Sequence, residues 1–366
     1  MRVPFKTGYD HDIRLFRNRR HALRYAVLVA SAVALPFVLD DFLIGEATSV
    51  LIWAIAGMGL MLLTGHAGQP SLGHAAFLAA GCYANAILMD RFGLPFLASF
   101  TLAGLLTGLA GVLVAIPVLR LQGIYLAIAT LALSILTEDI IVLAEPWTGG
   151  VAGLTAPAIS IAGMEVDRFG SPDRFYWLCL AVALLVTLGY RNVLRAPLGR
   201  AFTAVRDSEV SAQAMGVNLA RTKAAAFGLS CMATGWAGAL MGHFVYTFNH
   251  EAFTIFISVQ LLLMIVIGGL GAIQGAWYGA MVVGLVPLAI TIARDWTTET
   301  FGVAVAAVPG LENAIFGLIL VLILLFEPHG IHGRLSKWRV WFELFPLARR
   351  DMFRREKRYQ KTERLR

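Results

Sequence analysis

The sequence predicts an all-α polytopic membrane protein with about ten transmembrane helices, and three observations carry that reading. Hydrophobic residues make up 58% of the chain and charged residues only 14%, a balance foreign to a water-soluble globule of this length. Apolar runs of about 17–25 residues, enough to cross a hydrocarbon core, recur along it. The basic residues are gathered into three blocks, as loops on the cytoplasmic side of a membrane require.

In chain order the candidate spans lie near 22–40, 45–64, 71–90, 94–119, 124–145, 174–190, 224–246, 255–271, 275–294 and 311–326. The third, sixth and eighth are short or glycine-rich, and one could re-enter the membrane rather than cross it. The first follows a basic stretch and contains Ala32-Val33-Ala34, which also suits a signal peptide with its cleavage site. The roughly twenty polar residues before it and the charge pattern favour retention as a span.

Of 30 Lys and Arg, seven fall in residues 1–24, six in the 191–223 loop and twelve after residue 333. An even number of spans with the N-terminus inside puts all three blocks in the cytoplasm. The expected organisation is a basic N-terminal segment (1–21), a transmembrane unit (22–328) and a basic tail (329–366). An external loop at 146–173 and a cytoplasmic loop at 191–223 interrupt the unit.

Reaction chemistry is sparse. No G-x-x-x-x-G-K-[ST] loop exists to cradle nucleotide phosphates, no H-E-x-x-H or Cys/His cluster exists to hold a metal, and the eight histidines are scattered. Cys82, Cys179 and Cys231 fall inside predicted spans without disulfide or metal spacing, so they read as small buried hydrophobes. These absences weigh against a membrane enzyme.

The informative stretches are glycine-rich or polar. In GHAGQPSLGH, Pro70 removes a backbone donor among Gly65, Gly68 and Gly73, which predicts a broken helix whose freed backbone groups are buried in protein or line a cavity. Gln69, Ser71 and His74 are polar groups beside the following helix start. GGLGAIQGAWYG, from Gly268 to Gly279, reads as close helix packing and a tight turn. Glu138 and Asp139 sit late in the fifth span, facing a solvated cavity or capping the outer end of a shorter helix. Within 191–223, Arg206 to Gly216 reads as a short amphipathic helix with a glycine stop, a knob on which a partner docks.

Four blocks in this order, GHAGQPSLGHAAFLAAGCYANAIL, LRLQGIYLAIATLALSILTEDI with WTGGVAGL, LGRAFTAVRDSEVSAQAMGVN and IVIGGLGAIQGAWYGA, resemble the signature blocks of ABC-importer permeases for branched-chain amino acids. The resemblance is to the M-type subunit and runs from about residue 45 to 328. It implies the ABC-importer permease fold and a heterodimer with a homologous permease. It also implies two cytosolic ATPase subunits that carry ATP and Mg, an external solute-binding protein, and no cofactor on this chain.

It further implies that the 191–223 loop carries the ATPase-coupling helix. Arg206, Asp207 and Glu209 would form its charged rim, with Val210, Ala214 and Met215 as apolar contacts, Ala212 within the helix and Gly216 closing it. Ser211 departs from the family's Glu-Ala-Ala pattern. The expected translocation path takes Gln69, Ser71, His74, Tyr125, Thr130 and Glu138. Pro70 and Asn249-His250-Glu251 depart from the family's usual residues.

The blocks specify a family more sharply than a solute, so urea or short amides stay open as cargo. An ion-driven secondary transporter using Glu138 and Asp139 is the rival mechanism, and a channel the third. In the tail, Trp338, Trp341, Phe342, Phe345 and Phe353 interleave with Lys and Arg. That suits a helix on the lipid of the inner leaflet better than a nucleic-acid surface.

A topology reporter fused after Arg206 and another after Arg366 are both expected to report cytoplasm, and one inserted near Asp167 the exterior. Opposite locations for the first two would overturn the ten-span reading.

Overall fold

The computed structural model describes residues 19–118, 121, 123–161, 163–301, 314, 317–318, 321–322, 325–326 and 330–344. The chain is a multi-pass helical membrane protein. The first helix among the described residues, α1 (Arg19–Ala34), ends in a 3₁₀ turn at Leu35–Phe37, where Pro36 blocks further α-helix. Helix α2 (Asp41–Leu60) follows and continues through a π-helical turn, Met61–His66. Then come α3 (His74–Asp90), α4 (Phe96–Val118) and α5 (Ile124–Leu143).

The loop at 146–173 holds short strands β1 (Leu154–Thr155), β2 (Ile159–Ile161) and β3 (Met164–Val166). Helix α6 (Pro172–Arg195) opens on a proline at its first position, where no N–H is needed. The 191–223 loop contributes α7 (Pro197–Asp207) and α8 (Glu209–Ala214). Helix α9 (Leu219–Val245), strand β4 (Thr247–Phe248), α10 (Ile255–Gly268), α11 (Ile273–Phe301) and α12 (Gly330–Leu344) follow among the described residues.

Among the described residues seven helical segments are long and apolar enough to cross a membrane: Asp41–His66, Phe96–Pro117, Ile124–Leu143, Pro172–Arg195, Leu219–Val245, His250–Gly268 and Ile273–Ile292. The sixth and eighth expected spans are thus full length, at 24 and 19 residues. The first falls on a shorter apolar helix, Tyr25–Phe37, and the third on the 17-residue α3. Most of the tenth, residues 1–18, and the tail from 345 on, with Phe345 and Phe353, lie outside the described residues.

Helices α2 and α9 form the centre. Without a hydrophobic driving force between helices in lipid, close approach depends on small residues. A Cβ on Gly59 would lie 2.7 Å from Ser230 O, one on Gly81 2.1 Å from Gly235 O, and one on Gly238 2.0 Å from Leu78 O. Helix α4 runs antiparallel to α9, with Phe96 against His243, Phe100 against Trp236 and Gly111 against Cys231. Helix α3 runs parallel to it, with His74 opposite Ser230 and Asn85 opposite His243.

That parallel register explains why α3 is short. Ser230 stands eleven residues, about 16 Å, along α9 from its start at Leu219. So α3 begins near the middle of the bundle, and residues 67–73 climb to that level without helical structure.

The loops fall at two ends. At one, Arg206 meets Gly65, Gly65 abuts Gly271, and Gly330 abuts Gly269. At the other, β1 pairs antiparallel with β4 (Leu154↔Phe248, Thr155↔Thr247) and β2 with β3. There Arg168 ties the loop down, donating from Nη1 to Phe244 O (2.9 Å) with its guanidinium 3.8 Å over the Phe244 ring.

Candidate functional site

Two clusters answer to the sequence expectations, a knob at one end of the bundle and a polar core inside it. In the knob, α7 is amphipathic, burying Gly199, Phe202 and Val205. The expected single helix from Arg206 to Gly216 is broken. Ser208 is extended (φ −164°, ψ 113°), ends α7, and caps α8 by accepting from Ser211 N at 3.2 Å. A serine hydroxyl offers the backbone an alternative to helix continuation, which is why the break falls there.

The glycine stop is as expected. Gly216 takes φ +85°, and Val217 N returns to Ala212 O at 3.0 Å, closing the helix end with a residue that tolerates the left-handed region. Asn218 then caps α9 through Arg221 N.

Val210 is 81% exposed and Met215 85%, with Ala214 exposed beside them and Ala212 buried. The apolar contacts expected for a partner therefore stand free of their own chain. The charged rim is different from the expectation. Only Asp207 stays mainly outward; Glu209 turns in to Lys223 at 2.7 Å, and the Lys223 side chain is just 7% exposed. A buried ammonium needs a close carboxylate, and that requirement outweighs solvent for Glu209. Arg206 also faces inward in part, donating to Asp207 Oδ1 and, from Nη1, to Gly65 O at 3.2 Å.

The polar core gathers four of the six expected path residues. Gln69, Ser71, His74 and Thr130 are all buried. Leu72 N donates to Thr130 Oγ1 at 3.0 Å, Gly73 N to Ser71 Oγ at 3.3 Å and Ala75 N to Ser258 Oγ at 2.9 Å. Two amides at the end of the non-helical stretch and one in the first turn of α3 are thus met by side chains from the stretch itself and from α5 and α10.

The His74 ring is placed by a directional chain. Ser230 Oγ donates to Gly59 O at 2.6 Å, because a carbonyl can only accept. Its oxygen therefore accepts from His74 Nε2–H at 2.8 Å, leaving Nδ1 to accept from Ser71 Oγ at 3.0 Å. This neutral tautomer links α2, α3 and α9. The residue is wholly enclosed among helices, so here it serves as a core tie and not as the lining of an open passage.

Tyr125 and Glu138 stand apart from the core. Tyr125 is 70% exposed near the start of α5, and Glu138 is half-buried further along the same helix, with Asp139 exposed. The side of α5 that joins the core carries Thr130 and Ser134, with Glu138 one turn beyond Ser134 and Tyr125 on another face. Ser230 and Ser258, which complete the core, were missed because a single serine in an apolar span has no local pattern.

An apolar cleft of about 340 Å³ lies between α2, α4, α6 and α9, lined by residues such as Met58, Leu62, Phe100, Val186 and Met232. Cys82, Cys179 and Cys231 are buried free thiols. Among the described residues no three His, Cys, Asp or Glu side chains gather as a metal set.

Residues 42–324 match a family model described as the permease component of branched-chain amino acid transport systems. The high-affinity branched-chain amino acid transport system permease protein LivM of Salmonella typhimurium is 31% identical over 327 residues, covering 83% of this chain and 73% of that protein. Its Escherichia coli K12 counterpart is 30% identical, covering 85% and 75%. A probable LivM of Methanocaldococcus jannaschii is 29% identical, covering 78% and 84%. No solved structure matches the chain.

The Glu209–Lys223 pair supplies a test of the knob's architecture. Glu209→Ala strands the buried ammonium and is expected to destabilise the protein by about 3 kcal/mol, whereas adding Lys223→Met to the same chain recovers most of the loss. Thermal unfolding in detergent reads both. A double variant no more stable than Glu209→Ala alone would show that the pair does not hold the knob.

Proposed function

This chain belongs to the family of permease components of branched-chain amino acid transport systems, and on that premise we propose that it forms, with a second homologous permease, the path by which branched-chain amino acids cross the cytoplasmic membrane. Two cytosolic ATPases bind and hydrolyse ATP with Mg, and an external binding protein delivers the solute. The chain itself catalyses no reaction. Both termini and the 191–223 loop lie in the cytoplasm, in keeping with the three basic blocks.

The observation that carries this reading is the knob. Val210, on a capped six-residue helix outside the spans, and Met215, at its C-cap, are large apolar side chains almost fully exposed. Such side chains on a short rigid element suit insertion into a cleft on another protein. Val210, Ala214 and Met215 supply the apolar contacts, Asp207 the polar edge, and Ala212 and Gly216 hold the helix in shape. Closure of the ATPases on ATP moves the knob, and alternating access follows as the spans reorient.

The ion-driven alternative would require Glu138 and Asp139 to bind the coupling ion within the membrane, where an ionised carboxylate is costly. In an ATP-driven permease they shape the outer part of the path at most. The complete complex in proteoliposomes, given ATP and the loaded binding protein, is therefore expected to take up leucine in the presence of a protonophore. Glu138→Gln with Asp139→Asn should keep that uptake. Collapse on adding protonophore at constant ATP would transfer the chain to the ion-driven class.

A further inference from the structure

Arg206 sits where three breaks in helical structure meet. Its Nη1 donates to the carbonyl of Gly65, 141 residues away, in the π-helical turn that ends α2. A Cβ on Gly68, which has φ +70°, would lie 2.7 Å from Arg206 Cγ and 3.1 Å from its Cα and Cβ. One on Gly271, in the turn between α10 and α11, would lie 3.9 Å from Arg206 Nη1, and one on Gly65 only 2.8 Å from Gly271 N. On its other side the guanidinium holds Asp207 Oδ1 through Nε (3.0 Å) and Nη2 (2.9 Å).

We propose that Arg206 is the positioning residue through which movement of the docking loop reaches the interior of the permease, pulling on the Gly65 carbonyl while its aliphatic stem bears on Gly68. This rests on the reading of the 191–223 loop as the ATPase docking surface. The last carbonyls of a helix lack partners within it, so a donor from another element can take one directly. A planar guanidinium can do so while a second edge stays fixed to its own loop, which an ammonium on a single point cannot match.

The glycines make the contact mechanical as well as polar. Because Gly68 has no Cβ, the Arg206 stem lies directly on the backbone at the start of the non-helical 67–73 stretch. From there the chain runs to His74, whose ring is tied to α2 and α9. A displacement of the end of α7 therefore either breaks the Gly65 bond or carries the end of α2 and the non-helical stretch with it.

The test uses the complete importer in proteoliposomes and reads solute taken up per ATP hydrolysed, with co-purification as the measure of assembly. Arg206→Ala removes the tie from one side; Gly68→Ala drives a methyl into the same contact from the other, at a residue outside the 191–223 loop. Both complexes are expected to assemble with their ATPases and to show at least a tenfold lower ratio of uptake to hydrolysis. Arg206→Lys, which keeps the stem and one donor, should restore a substantial part of it.

Wild-type coupling in an assembled Arg206→Ala or Gly68→Ala complex would overturn the proposal. Loss of the ATPases from Arg206→Ala with full coupling in Gly68→Ala would also overturn it, assigning Arg206 to the docking surface itself. If Arg206→Ala does not fold, Gly68→Ala decides alone. Failure of the wild-type complex to transport on ATP would instead count against the function proposed above.

Discussion

A stretch of non-helical backbone inside an apolar bundle must find a partner for every amide, and this constraint organises the protein around residues 67–73. Water is not available at that depth, so an unmet N–H would cost about 1–3 kcal/mol. Gln69 N returns to Leu63 O, Leu72 N takes Thr130, Gly73 N takes Ser71 and Ala75 N takes Ser258. The partners come from α2, from α5, from the stretch itself and from α10, so four parts of the chain are fixed by one short segment.

Other features follow from that arrangement. Because the stretch rises into the bundle, α3 starts beside Ser230 and needs only 17 residues to reach the opposite end. It can approach α9 closely enough because Gly81 meets Gly235 and Gly238 meets Leu78 without intervening Cβ atoms. The His74 ring then joins α3 to α2 and α9 through hydroxyls at both nitrogens. The knob touches this assembly through Arg206, where α2 ends and the stretch begins. The proposed docking surface and the packed interior are therefore adjacent, as the proposed transmission of force across the permease requires.

Local chemistry made part of this legible in the sequence. Pro70 between Gly68 and Gly73 identified the broken helix, and Gln69, Ser71 and His74 identified its polar interior. Gly216 identified the end of the knob. What stayed hidden depends on residues distant in sequence. Ser230 and Ser258 gain meaning only opposite His74 and Ala75, 156 and 183 residues away. Lys223 reads as one more cytoplasmic charge until its burial against Glu209 is seen. The break at Ser208 needed the cap geometry, since Asp207 and Glu209 on either side are acceptable helix residues. Tyr125 and Glu138 were grouped with Thr130 in the expected path, but Tyr125 lies on another face of α5 and Glu138 stands two turns further along the helix.

Amide hydrogen exchange across residues 67–75 in the membrane-embedded protein tests the organising constraint most directly. Leu72, Gly73 and Ala75 are expected to exchange as slowly as the amides in the middle of α9, although the first two belong to no helix. Exchange of Leu72 and Gly73 at the rates of an open loop would contradict the account, because it would mean that water, and not the side chains of Thr130 and Ser71, satisfies this backbone.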